Sequence, residues 1–234
     1  MARDGAPDDA TARLAAALEE EIIFGRLAPG ARLVEESLGR RFEANRHIVR
    51  GALAELRRLG LIVCARNRGC RVRDYAPEEL EGVYEIRETL QRRAAERMPL
   101  PAPPERLAAL RAAQTSHDAA VARAVAEPDS AEALRAVFEA NEAFHASLFE
   151  GCGNPHLAEA IRRYGWMTHA VRSHGMADSA LIQRARSEHW AMVAAVERGD
   201  RAALAERVAA HIHWPKEAYL ARLRAAAQDC RQSG

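Results

Sequence analysis

Along 234 residues the spacing of apolar side chains follows a helical period almost throughout, and it gives way to the two-residue period of a strand in one place, between Leu61 and Arg73. A sheet protein is excluded by that pattern, and what remains is a helical molecule with one small hairpin. The composition agrees: 48% of residues are hydrophobic but only 5% are aromatic, and Ala, Leu, Glu and Arg dominate over the residues that favour strands. A chain of this length buries roughly 70–75% of its unfolded surface and needs neither disulfide nor metal to fold.

No run of eighteen apolar residues occurs, and the first fifteen residues carry acids with no apolar stretch behind a basic start. Neither a membrane span nor a secretory signal is expected. Cys64, Cys70, Cys152 and Cys230 are spaced too widely for a two-residue metal knuckle, so reduced thiols in a cytoplasmic protein are the expectation.

The start of the chain, to about Asp9, reads as disordered. Residues 11–24 read as a helix with Leu14, Leu18 and Ile22 on one face, stopped by Gly25 and followed by a turn at Pro29-Gly30. A second helix over 34–42 follows, and Asn45 offers an N-cap to a third whose stripe is Val49, Ala52, Leu53 and Leu56, closed by Gly60. Residues 61–64 and 70–73 then form two strands about the turn Asn67-Arg68-Gly69. Three helices and a two-stranded hairpin make a winged helix-turn-helix, spanning about 10–75.

Tyr75-Ala76-Pro77 is the linker to a second domain over about 76–228. Six helices are expected there, over 77–98, 104–126, 130–150, 155–173, 179–198 and 200–227, separated by Pro and Gly punctuation. The expected fold is therefore mainly α, a winged-helix head followed by an antiparallel bundle of about six helices.

The net charge of +1 hides an uneven distribution: from Arg40 to Arg73 ten arginines face two acids, giving +8, while the rest of the chain sums to −7. Such a block inside a balanced protein is the footprint of a nucleic-acid-facing module. Arg46 and Arg50 share a face of the third helix, opposite its apolar stripe and in its first two turns, where an arginine reaches guanine O6 and N7. Arg57 follows on the same face toward phosphate. The hairpin tip, with Arg66, Arg68 and Gly69, touches backbone or minor groove. Arg40, Asn45 and His47 complete the candidate contacts to double-stranded DNA.

Gly25-Arg26-Leu27 with Pro29-Gly30, Leu33 and Glu35, Asn45-Arg46, Val49-Arg50, Ala52-Leu53, Leu59-Gly60-Leu61 and Arg68-Gly69 together resemble the winged-helix reader of the GntR family of bacterial repressors, over about residues 11–75. Where that family usually has Ser, Pro and Glu this chain has Asn45, Ile48 and Gly51, and Glu36 stands where many members have an arginine.

Three helices of the second domain carry polar groups on their own apolar stripes: Asn141 and His145, then His189, then His211. An unpaired polar group in a core costs about 1–3 kcal/mol, so all four need partners, and one divalent metal satisfies them together. Arg87 shares a stripe with Leu80, Val83, Leu90 and Ala94 and so aims a guanidinium inward. It calls for an anion, either an internal carboxylate such as Glu139, Glu142 or Glu188, or the carboxylate of a small effector. Trp166, His169, Arg172, Trp190, His213 and Trp214 are candidates to line the pocket for that effector.

Asn141-Glu142-Ala143-Phe144-His145, Gly153-Asn154-Pro155, Glu188-His189, Gly199-Asp200 and His211 resemble the FCD-type effector domain of the FadR subfamily. The resemblance implies a zinc or similar ion, with nickel and manganese as alternatives, held by Asn141, His145, His189 and His211, and a small organic acid as effector. Many members have an acid at the position of Asn141, so a negative charge is missing here. The combined expectation is a homodimeric, ligand-responsive repressor on a palindromic operator. The alternatives are a metal-dependent hydrolase or isomerase and a dedicated metal sensor. Against catalysis, Glu142 and Glu188 adjoin ligands in sequence and so rotate away from them, leaving no evident general base.

Overall fold

The computed structural model describes residues 7–65, 68–128, 130–168 and 179–232. It divides into two compact units, Met1–Ala76 with Trp166–Ala170, and Pro77–Gly165 with Val171–Gly234. No helix among the described residues is long and apolar enough to cross a membrane.

The first unit contains α1 (Pro7–Ile23), β1 (Arg32–Leu33), α2 (Glu35–Arg41), α3 (Arg46–Arg58), β2 (Ile62–Ala65) and β3 (Gly69–Val72). α1 begins earlier than the disorder expected to Asp9, because Pro7 stands at the first helical position, where its missing N–H has no helical acceptor to serve. α3 starts where Asn45 Oδ1 accepts from the Ile48 N–H at 3.0 Å. Leu18, Val49, Ala52 and Leu56 are completely buried between α1 and α3. Gly51 permits the approach of these helices, since a Cβ there would lie 2.8 Å from Thr11 Cγ2.

The wing has three strands rather than two, in the order β1-β3-β2, all antiparallel. β1 pairs Arg32 with Arg71 and Leu33 with Cys70. Two residues are too few to show a period, which is why the sequence pattern misses them.

The expectation of reduced thiols is corrected at the same place. β2 and β3 pair in a register that sets Cys64 directly opposite Cys70, and the two form a disulfide with Cα atoms 4.1 Å apart. Spacing along the chain argued against a metal knuckle, but a cross-strand pair is decided by register. Cys152 is a free, buried cysteine. Replacing Cys70 by Ser opens a loop whose closure is worth about 2 kcal/mol. Denaturant unfolding under non-reducing conditions is expected to show the first unit destabilised by that amount, and no change once reductant has removed the bond from the wild type.

The second unit contains α4 (Pro77–Arg97), α5 (Pro104–Ala126), α6 (Ala131–Glu150), α7 (Pro155–Met167, whose last two residues fall in the first unit), α8 (Ser179–Glu197) and α9 (Arg201–Gln232). α5 packs against α6 and α8, while α9 packs against α4 and α8. The starts of α6 and α9 are capped by side chains, Ser130 to the Ala133 N–H and Asp200 to the Ala203 N–H. α7 closes at Met167 instead of running to 173, and residues 169–178 lie outside the described ones. α9 runs beyond the expected end at 227 and contains Pro215. Phe144, Leu148, Met192 and Leu204 are fully buried at the centre of this unit.

Candidate metal centre and nucleic-acid face

Burying Val49, Ala52, Leu53 and Leu56 turns the opposite face of α3 outward. The side chains of Arg46 and Arg50 are 82% and 67% exposed. Both lean on one acid from α2, with Arg46 Nε 3.3 Å from Glu35 Oε2 and Arg50 Nε 3.9 Å from Glu35 Oε1. Arg46, His47, Arg50 and Gly51 line a shallow cleft on this face. Exposed ion pairs contribute about 0–1 kcal/mol, so phosphate or a guanine edge competes readily with Glu35.

Arg57 and Arg68 are exposed, and Arg40 is paired loosely with Glu36 at 3.8 Å. Asn45 is engaged as the cap of α3. Gly69 has φ +71°, a left-handed turn position that favours glycine at the wing tip. Arg66 lies outside the described residues.

In the second unit α6 carries Asn141 and His145, α8 carries His189 and α9 carries His211. One nitrogen from each histidine falls within 4.8 Å of the other two. Their ring centroids form a nearly equilateral triangle, 5.0 Å from His145 to His189, 4.9 Å from His189 to His211 and 5.1 Å from His145 to His211. The group is thus able to hold a metal ion.

Two of the rings are oriented from outside. His211 Nδ1 lies 2.6 Å from Glu188 Oε2, and because a carboxylate only accepts, Nδ1 carries the proton. His189 Nδ1 lies 3.1 Å from Gln114 Oε1. That amide orientation is fixed in turn, since Gln114 Nε2 donates to Asp118 Oδ1 at 3.0 Å. Asp118 also accepts from Arg186 Nε at 2.9 Å and from Trp190 Nε1 at 3.0 Å. With Nδ1 of both rings engaged this way, Nε2 is the ring atom each offers to an ion, an arrangement common to metal-ligating histidines. Imidazole nitrogens with an amide oxygen suit a borderline divalent ion such as zinc. Asn141 donates from Nδ2 to Glu142 Oε1 at 3.2 Å, so its oxygen is the atom suited to ligation.

Burial works to raise the Glu188 carboxyl, but hydrogen bonds from His211, Arg184 and Trp214 outweigh it and hold the group below the usual carboxylate range. Asp118 is held low in the same manner, with burial opposed by Arg186 and Trp190. Burial dominates at His117 on α5, whose imidazole falls from 6.5 to about 4. A histidine depressed in the fold stabilises it above the unfolded pKa, and that stability is lost as pH falls from about 6.5 to about 4. Metal-free protein is expected to lose on the order of 3 kcal/mol across this window, with Glu188 and Asp118 adding further loss at lower pH. Melting temperature against pH, compared with His117→Gln, checks it.

The structure gathers the candidate ligands but not the candidate effector residues. Arg87 is buried on α4 with its guanidinium 4.8 Å from the Tyr84 ring centroid. Trp190 is 38% exposed and tied to Asp118, while His213 meets Glu88 at 3.0 Å on a half-exposed surface. Trp166 belongs to the first unit, and His169 and Arg172 lie outside the described residues. The cavity beside the histidines is instead lined by His117, Asn141, His211 and Trp214, with apolar walls from Phe138 and Ile182. Of the effector candidates, Trp214 alone lines it among the described residues. Sequence reading passed over Gln114, His117 and Asp118, none of which falls on a motif, and took Glu35 only as part of the family resemblance, not as the partner of Arg46 and Arg50.

Comparison with known proteins agrees with both halves. Residues 10–72 match the model of the gntR family of bacterial regulatory proteins, and residues 82–213 match the FCD domain. The chain is 22% identical over 196 residues to the uncharacterized HTH-type transcriptional regulator YdhC of Bacillus subtilis, covering 84% of each. Among solved structures, Escherichia coli McbR/YncC superposes with a TM-score of 0.71 at 18% identity, over 92% of this chain and 98% of that one. A GntR-type protein from Rhodococcus sp. RHA1 gives 0.70 at 22% identity, over 90% and 97%. At these identities the superpositions speak for the fold, and the family models speak for the lineage. The chain belongs to the GntR family of transcriptional regulators, with an FCD effector domain behind its winged helix, and is a regulator rather than an enzyme.

Proposed function

We propose that the protein acts in the cytoplasm as a homodimeric repressor, that two copies of the winged helix read a palindromic operator, and that a small organic acid bound beside a divalent metal, zinc foremost, modulates it. The observation that carries this reading is the convergence of His145, His189 and His211 within 4.8 Å, with two of the rings oriented by Gln114 and Glu188. Asn141, which lines the same cavity as His211, joins them as an uncharged ligand. When bound, the metal supplies a positive charge that attracts an anion. The chain's own residues do the rest: the imidazoles offer ring nitrogens to the ion, and the apolar wall at Phe138 and Ile182 limits water.

Control of DNA binding requires that the acid favour one state of the protein over another, since only differential affinity shifts an equilibrium. The test is fluorescence anisotropy on DNA from upstream of the protein's own gene, with zinc, with chelator, and with small acids added to each. The expected result is a change in operator affinity of about 5- to 150-fold on adding an effective acid, seen with zinc and absent with chelator. Acid effects indifferent to chelator would refute the metal-linked reading. A response to metal alone would identify a metal sensor instead.

A further inference from the structure

His117 is a buried imidazole that the fold does not account for. It is 1% exposed, and its Nδ1, also buried, makes no hydrogen bond among the described residues. The ring lies 4.8 Å from that of His189 and lines the same cavity as Asn141 and His211. Sealing such a group in a core without a partner is costly, and an apolar side chain would pack there at no such cost. The acid next to it in sequence is no partner: Asp118 already accepts from Gln114, Arg186 and Trp190.

The charge of the centre indicates what His117 awaits. Three imidazoles and an amide carry no negative charge and Glu188 supplies one from behind His211, so a divalent ion held there keeps a net positive charge and favours an anion beside it. An anion entering the cavity meets Asn141, His211 and His117 among its polar lining and Phe138, Ile182 and Trp214 among its apolar lining. We propose that His117 is a ligand-contact residue: its ring N–H donates to the carboxylate of a small monocarboxylic acid whose apolar body rests on Phe138, Ile182 and Trp214. This rests on the metal-linked reading above and adds to it a contact residue and a ligand class.

The test uses the full-length protein loaded with cobalt(II), whose visible absorption reports both metal binding and a change at the metal, with acetate, butyrate and succinate as probes. Wild type is expected to bind cobalt and to show a saturable spectral shift with butyrate at lower concentration than with succinate. His117→Ala is expected to weaken butyrate binding by about tenfold or more while changing cobalt affinity less than threefold. His117→Gln, which keeps a donor, recovers part of the loss and guards against a folding defect in the alanine variant. Unchanged butyrate affinity in both variants, succinate bound better than butyrate, or no shift with any acid overturns the proposal. A parallel loss of cobalt affinity overturns it too, making His117 a metal ligand. If wild type binds cobalt no better than His189→Ala, the metal-linked reading itself has failed.

Discussion

Replacing Arg46 and Arg50 together by alanine is expected to weaken specific operator binding by roughly thirtyfold to ten-thousandfold, because each bidentate contact to guanine contributes about 1–3 kcal/mol. Folding stability should barely move, since both side chains stand in solvent and their common partner Glu35 is itself 40% exposed. Glu35→Gln tests the same face in the opposite direction. Removing the competing carboxylate should strengthen binding by a few fold, most visibly at low salt, where surface electrostatics are least screened. Anisotropy titrations with operator and scrambled DNA measure both effects. Specific binding that survives the double substitution would place the reading face elsewhere on the head.

Zinc in hundredfold excess over its dissociation constant is expected to stabilise the wild type by about 2.7 kcal/mol, and His189→Ala is expected to abolish that increment. For a unit of this size the increment corresponds to a rise of about 5–10 °C in melting temperature. His189 is the sensitive choice because it is fully buried, sits beside both other histidines and is held by Gln114. Acidification should erase the zinc increment in the wild type as well, because a histidine must be neutral to ligate. Calorimetry of both proteins with zinc and with chelator gives the comparison. An equal zinc increment in the variant would disprove the assignment of His189.

Features set by a single element were legible in the sequence, and features set by contact between elements were not. The stripe on α3 fixes which face is buried, and so which arginines are exposed, without reference to anything else. The same holds for Asn141, His145, His189 and His211, each inward on its own helix, and the fold needed only to bring the helices together. Glu188 marks the limit. Its place beside His189 does turn it away from that ring, and the same turn delivers it to His211 on α9. Gln114 and Asp118 were invisible because their value lies in reaching across from α5 to α8. Arg87, Trp190 and His213 were proposed for their chemistry, and the packing of α4, α8 and α9 distributes them over separate surroundings. The disulfide depends on a strand register that no period records.

Pro215 gives the last helix an asymmetry. A proline at that position has no N–H for the carbonyl four residues earlier, and that carbonyl belongs to His211. Pro215 also borders the cavity in which His211 stands. The thirty-two-residue helix is therefore less tightly laced at the turn bearing His211, a candidate metal ligand. A bend of the backbone there breaks no further hydrogen bond of Pro215, and it would turn the helix beyond residue 215 relative to His211, so the two ends of this helix are free to differ slightly in direction.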